Sequence, residues 1–339
     1  MTTTRTSGTT ALLSWSRALT DPAMRSAVDA LPPAMRHGTG YHLGWWDADG
    51  EPVDGNPGKA IRPALVLLSA RTVGGRAEDA VPAAVAVELV HNFSLVHDDV
   101  MDGDPLRRHR PAAWTVFGTA DAILYGDAML ALATRVLART GSEHAVAWLS
   151  DYVLALCEGQ SADLAFEQRE SVDLDECLAM VAGKTGALLG GACALGALAG
   201  GGTTGQVESL RQFGEHVGLA FQLVDDLLGI WGDSEVTGKP AGRDLVNKKK
   251  SLPVVAALST GTAAARQLAD RYAEAEPVRE EEVPHLAELV EAAGGRRWAQ
   301  REAGRQVASA IEALEATAGD PSAAADLLAL ARLVTRRDH

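Results

Sequence analysis

Residues 79–102 read DAVPAAVAVELVHNFSLVHDDVMD, and the reading of this stretch decides the fold class. Val81, Val85, Leu89, Val90 and Leu95 recur at helical spacing, so the segment is predicted as one amphipathic helix. Its polar residues His91, Ser94, Asp98 and Asp102 stand three, four and four positions apart and line one stripe of that helix. Like charges at i and i+4 cost a helix about 0.2–0.5 kcal/mol. Asp98 and Asp102, with Asp99 beside them, therefore ask for a compensating cation. A solvated acidic helix end is the bland alternative. It is weakened because the acids end a long apolar helix and run straight into Arg107, Arg108 and Arg110.

A second stretch repeats the pattern. Val207 to Trp231 is predicted as another apolar helix, on which Gln222, Asp225, Asp226 and Gly229 share a face. Leu223-Val224-Asp225-Asp226 resembles Leu95-Val96-His97-Asp98-Asp99. Elsewhere Ala, Leu, Val, Glu and Arg recur every three to four residues and no sustained alternating run occurs, so the expectation is all-α. Breaks rich in Gly, Pro and Asp are predicted as loops at 38–58, 199–205 and 232–247, with an acidic one at 274–284.

Composition limits the partners. Lys+Arg at 31 against Asp+Glu at 45 leaves a net charge of −14, a field that disfavours nucleic acid and anionic lipid. Cys157, Cys177 and Cys193 are scattered and odd in number, which fits neither a disulfide framework nor a zinc site and points to a reducing cytoplasm. No signal-peptide core precedes Ser16. Thr185 to Gly202 is apolar but built from Gly and Ala, so a closely packed core helix is expected in place of a membrane span. Oxygen donors without clustered Cys or regularly spaced His favour magnesium over zinc.

Gly58-Lys59-Ala60-Ile61-Arg62-Pro63, Glu88-Leu89-Val90-His91, His97 to Asp102, Arg107-Arg108, Gly183-Lys184-Thr185-Gly186, Phe221-Gln222 with Asp225-Asp226, and Gly238-Lys239 through Lys249 to Pro253 follow one another in an order that resembles the trans-isoprenyl diphosphate synthases, bacterial geranylgeranyl diphosphate synthases above all. The resemblance implies a single-domain helical bundle around a central apolar cavity, the isoprenoid synthase fold. Residues 1–37 would be an N-terminal helical segment of the domain and 38–339 its catalytic part. It implies that facing acidic helices hold a diphosphate through magnesium, three ions with substrate bound. Asp98, Asp102 and Asp225 would be the ligands, supported by Asp99, Asp226 and Asp244. It places Arg107, Lys184, Thr185, Gln222, Lys239 and Lys249 at the allylic diphosphate, and Lys59, Arg62, His91 and Arg108 at isopentenyl diphosphate. A cytoplasmic homodimer is implied too.

The sequence departs from the family at Gly229, where the second motif usually carries a third acid, with Asp233 further along. Phe93, five residues before Asp98, is expected to stop the growing chain at twenty carbons, against an equal expectation that it only packs the core. Farnesyl or longer products, a diverged terpene cyclase and a silent partner subunit are the alternatives, with a metal phosphohydrolase built on His97-Asp98 more remote. The loop at Lys248 to Lys250 is expected to close over the site. His109, His216, Gln160, Asp163 and the terminal Arg336-Arg337 read as structural or solvated, and Trp45-Trp46 as a loop element of undecided role.

Overall fold

The structure is a computed structural model that describes residues 3–53, 55, 58–232 and 242–335. It is 78% helical. In chain order the helices are α1 (Thr3–Asp29), α2 (Pro33–His42), α3 (Ile61–Thr72), α4 (Val81–Met101), α5 (Ala113–Phe117), α6 (Thr119–Ala138), α7 (Glu143–Glu167) and α8 (Leu174–Val181). There follow α9 (Ala187–Ala199), α10 (Thr204–Trp231), α11 (Arg243–Val246), α12 (Leu252–Leu258), α13 (Ala263–Ala273), α14 (Val283–Ala292), α15 (Gly295–Ala316) and α16 (Pro321–Thr335). Extended pairing among the described residues is one hairpin, β1 (Leu106–Arg107) with β2 (Arg110–Pro111), and an isolated bridge between Trp46 and Pro52.

The chain forms two compact units. The first comprises residues 1–153, 191–211 and 317–330. Its core includes the packing of α3 on α4, where Leu65, Leu67 and Leu68 of α3 and Val85, Leu89 and Val90 of α4 are all essentially without exposed surface. Each such leucine contributes about 1.5–3 kcal/mol by leaving water. Pro82 in the first turn of α4 presets the backbone where no intrahelical donor is needed. α6 packs against α4 so closely that a Cβ at Gly126 would meet the His97 ring at 2.2 Å. α9 approaches α3 at Gly196, whose added Cβ would lie 2.1 Å from the carbonyl oxygen of Val66.

The second unit comprises residues 154–190, 212–316 and 331–339. Leu223 and Leu227 of α10 pack with Phe166, Met180, Leu252 and Val255. Ile230, Leu245 and Val254 join a neighbouring cluster with Leu286 and Val290 of α14. Thr262 caps α13 by accepting from the Ala265 amide at 3.1 Å.

The all-α expectation matches, with local differences. The loop expected from residue 38 begins only after His42, because α2 continues through Gly38 and Gly40. These two glycines leave room for the rings of Tyr125 and Trp46, which an added Cβ would meet at 2.1 and 2.0 Å. The expected loop at 232–247 contains α11, and the acidic loop ends in a 3-10 turn at Glu280–Glu282 before α14 begins at Val283. Two stretches, Ala77–Met101 and Leu174–Ala199, are long and apolar enough to cross a membrane, yet 67% and 72% of their most apolar windows are buried within the protein.

Candidate active site

Asp98 and Asp99 stand in the last turn of α4 and Asp102 closes it, its amide bonded to the Asp98 carbonyl at 2.8 Å. Asp102 is exposed and Asp98 half-buried, whereas Asp99 is only 1% exposed. Asp99 Oδ1 accepts from Arg107 Nε at 2.9 Å and from Nη2 of the same guanidinium. Burial pushes the Asp99 carboxyl above its ordinary range although Arg107 opposes it. The pair therefore anchors the β1–β2 hairpin to the end of α4.

Arg108 and His109 form the two-residue turn of that hairpin with φ of +53° and +64°, left-handed backbone at residues that carry a Cβ. Such turns ordinarily take Asn or Gly, and each residue held there costs about 1–3 kcal/mol. The strain carries Arg108 to a cluster with Arg62, His91, Glu88 and His42. Arg62 Nε, Arg108 Nη1 and His42 Nε2 are buried there with no hydrogen-bond partner among the described residues. Burial, with Arg62 and Arg108 nearby, keeps the His91 imidazole well below the usual histidine range. Burial together with Arg108 and Arg107 pushes His42 down to about 3, so both rings are neutral. Burial raises the Glu88 carboxyl against the pull of Arg62 and Arg108, and Asn92 Nδ2 donates to its Oε1 at 3.3 Å. Lys59 is exposed between Gly58 and Ala60, both with positive φ. Tyr41, His42, Arg107, Arg108 and Arg110 line a cleft. Buried donors without acceptors beside excess positive charge suit a multiply charged anion.

The second unit carries its own cluster. Lys184 lies in a π turn at Ala182–Gly186, and its Nζ pairs with Asp163 Oδ2 at 2.6 Å. Thr185 donates to Gln222 Oε1 at 3.1 Å, and Gln222 Nε2 donates to Asp226 Oδ1 at 2.8 Å. Asp226 Oδ2 accepts the Leu252 amide at 2.9 Å, so this oxygen ties α10 to the start of α12 while Oδ1 is held within α10 by Gln222. Burial pushes Asp226 up to about 6. Asp225 is exposed. Desolvation opposes charge on Lys249, but Asp226, Asp244, Asp163 and Asp225 together hold its ammonium above the ordinary lysine range. A Cβ on Gly229 would lie 2.5 Å from Asp244 Oδ2, so Asp244 occupies the space that a side chain at 229 would fill.

The predicted site residues thus fall in one of two clusters except Lys59, which is exposed in the loop before α3, Phe93 and Lys239. Phe93 is buried on α4 with its ring edge-on to His97 at 4.9 Å, and Lys239 lies outside the described residues, as do Asp233 and Arg336-Arg337. Lys248 and Lys250 differ from the expected closing loop. Lys248 Nζ donates to the carbonyls of Glu274 and Glu276, and Lys250 Nζ to that of Phe166 at 2.8 Å. His97 Nε2 meets the Ile123 carbonyl at 3.0 Å and His216 meets Gln306 at 2.7 Å, so both rings are engaged structurally. The motif reading passed over His42 because no motif contains it, and read Asp163 as structural, whereas its carboxylate pairs with Lys184, 21 residues away.

No group of three or more His, Cys, Asp or Glu among the described residues is arranged to hold a metal. The thiols of Cys177 and Cys193 are pushed by burial to about 12 and offer no thiolate. Sparse exposed carboxylates fit magnesium, which keeps its waters and shares phosphate oxygens, better than a metal caged by protein alone.

Residues 51–290 match the model of the Polyprenyl synthetase family. The chain is 48% identical to the (2E,6E)-farnesyl diphosphate synthase of Mycobacterium tuberculosis, covering 94% of this chain and 90% of that protein. It is 45% identical to the geranylgeranyl diphosphate synthase of the same species, over 97% and 94%. A crystal structure of a polyprenyl synthetase from Streptomyces coelicolor A3(2) superposes with a TM-score of 0.93 at 49% identity, covering 96% of this chain and 99% of that one. The all-α architecture is therefore the isoprenoid synthase fold. By the length and depth of these matches, the chain belongs to the polyprenyl synthetase family and is a prenyltransferase, a trans-prenyl diphosphate synthase of isoprenoid biosynthesis.

Proposed function

We propose that the chain condenses isopentenyl diphosphate head to tail with an allylic prenyl diphosphate, with magnesium, to give geranylgeranyl diphosphate. The observation that carries this reading is the pair of buried guanidinium donors on Arg62 and Arg108 without a hydrogen-bond partner among the described residues, which suits a second diphosphate that a cyclase would not need. In this reading Lys59, Arg62, His91 and Arg108 bind isopentenyl diphosphate, while Arg107, Lys184, Thr185, Gln222, Lys239 and Lys249 contact the allylic diphosphate. Asp98, Asp102 and Asp225 are the metal ligands, with Asp244 in support. These residues would hold three magnesium ions, whose positive charge would offset that of the leaving diphosphate. The engagement of Asp99 by Arg107 and of Asp226 by Gln222 and Leu252 gives these two acids the work of holding their neighbours in place.

Chemistry begins with loss of the allylic diphosphate, and Arg107, Lys184 and Lys249 are fixed donors that stabilise the negative charge developing there. The isopentenyl double bond then attacks the allylic carbon, and a proton leaves to the released diphosphate. The protein supplies no covalent nucleophile. It works as a cytoplasmic homodimer with no membrane span; Ile123 and Leu124 on α6 are exposed apolar residues available to a second copy.

A fifteen-carbon product is the second reading, favoured by the 48% identity to a protein named farnesyl diphosphate synthase. Incubation with magnesium, isopentenyl diphosphate and allylic primers of each length, with chromatography of the products, separates the two. Phe93→Ala should shift the products to longer chains, and an unchanged distribution would leave Phe93 as core packing.

A further inference from the structure

Arg17 lies on α1, upstream of the residues that match the family model and outside every motif in the sequence. Its Nη2 donates to the carbonyl oxygen of Gly58, 41 residues away. Gly58 has φ of +87° and Ala60 φ of +50°, so Lys59 is presented from a loop with left-handed backbone on both sides. At Ala60 that conformation costs about 1–2 kcal/mol, which surrounding contacts have to offset. Arg108 lies against the same glycine, since a Cβ there would be 3.0 Å from its Nη2. Gly58 is thus flanked by two guanidiniums. Arg17 also lines a cleft together with Ala60, Pro63 and Glu88.

Resting on the reading that Lys59, Arg62 and Arg108 hold isopentenyl diphosphate, we propose that Arg17 is a positioning residue for that site. By tying down the Gly58 carbonyl from α1 it fixes the peptide that leads into Lys59, and it adds a positive charge to the field the diphosphate meets. The N-terminal helix then belongs to the substrate site, although the family match begins after it.

Steady-state kinetics of Arg17→Met, Arg17→Lys, Arg62→Met and Lys59→Met test this. Arg17→Met should raise KM for isopentenyl diphosphate roughly ten-fold, the loss expected for one charged hydrogen bond, with KM for the allylic substrate and Tm near wild type. Arg17→Lys should recover part of the loss. In a Lys59→Met background Arg17→Met should add little, because both act through one loop. Equal effects on both KM values, a wild-type KM for isopentenyl diphosphate, or full additivity with Lys59→Met would overturn the proposal. Should Arg17→Met not fold, Arg17→Lys decides: a KM raised for isopentenyl diphosphate alone supports the role, and two unchanged KM values refute it. If Arg62→Met also leaves the isopentenyl KM unchanged, the assignment of the site itself fails, beyond Arg17's part in it.

Discussion

Asp99 and Asp226 are the buried members of two acidic pairs, and both are bonded within their own units, Asp99 to Arg107 and Asp226 to Gln222 and the Leu252 amide. Their neighbours Asp98 and Asp225 are left nearer the solvent. Adjacent residues on a helix point about 100° apart, so one acid of each pair turns inward and the other outward. Gly229 follows the same geometry. Restoring the acid common in the family by Gly229→Asp should lower magnesium-dependent turnover, on the order of ten- to a hundred-fold, because the new side chain displaces the Asp244 carboxylate now 2.5 Å from the Cβ position. Turnover at or above wild type would show that Asp244 can yield without loss. His42 carries a pH prediction. Its imidazole titrates at about 3 in the folded chain and near 6.5 when unfolded, so the folded state stays neutral while the unfolded state takes a proton. Its contribution is complete above pH 6.5 and is lost as pH falls toward 3, up to a penalty on the order of 5 kcal/mol. His42→Gln should therefore lose less stability than wild type between pH 7 and pH 4.5, measured by chemical denaturation at both values.

Helix α9 is built from small residues for contact. Gly196 brings it onto the backbone of α3, and Gly200 meets the Ala70 carbonyl, where an added Cβ would lie at 2.6 Å. Gly196→Ala should destabilise the protein by about 1–3 kcal/mol, since the 2.1 Å clash with the Val66 carbonyl can be relieved only by parting two helices. Gly304→Ala on α15 is the matched control. Nothing lies within 4 Å of its Cβ position, so the helix should gain up to about 1 kcal/mol from the lost glycine flexibility. Opposite signs in denaturant titrations are the expected result; like signs would mean that glycine content, and not close approach, governs α9. The β1–β2 hairpin obeys the same logic of placement, because its unfavourable turn persists only where Asp99 holds Arg107 and the buried cluster receives Arg108.

For the molecule as a whole, sparse carboxylates and a buried basic cluster with unsatisfied guanidinium donors predict that metal and diphosphate bind together. Inorganic diphosphate with magnesium should raise Tm by several degrees, magnesium alone should barely move it, and chelation should abolish turnover. A full shift with magnesium alone would mean that the protein closes a metal cage unaided. Much was legible beforehand: helical periodicity exposed α4 and α10, and the order of acidic and basic motifs led to the family, because these signals are local and depend only on spacing. The hairpin turn at Arg108-His109 was not legible, since left-handed backbone at such residues is tolerated only when tertiary contacts outweigh its cost. Nor was the meeting of Arg17 with Gly58, the neutrality of His42 among arginines, or the filling of Gly229's space by Asp244. By itself the sequence determined the all-α class and the types of residue available for the chemistry. Which carboxylates are buried and which stand nearer the solvent, which lysines are bound to carbonyls, and which N-terminal residue meets Gly58 were decided by the tertiary structure, because burial and charge pairing depend on residues distant in the chain.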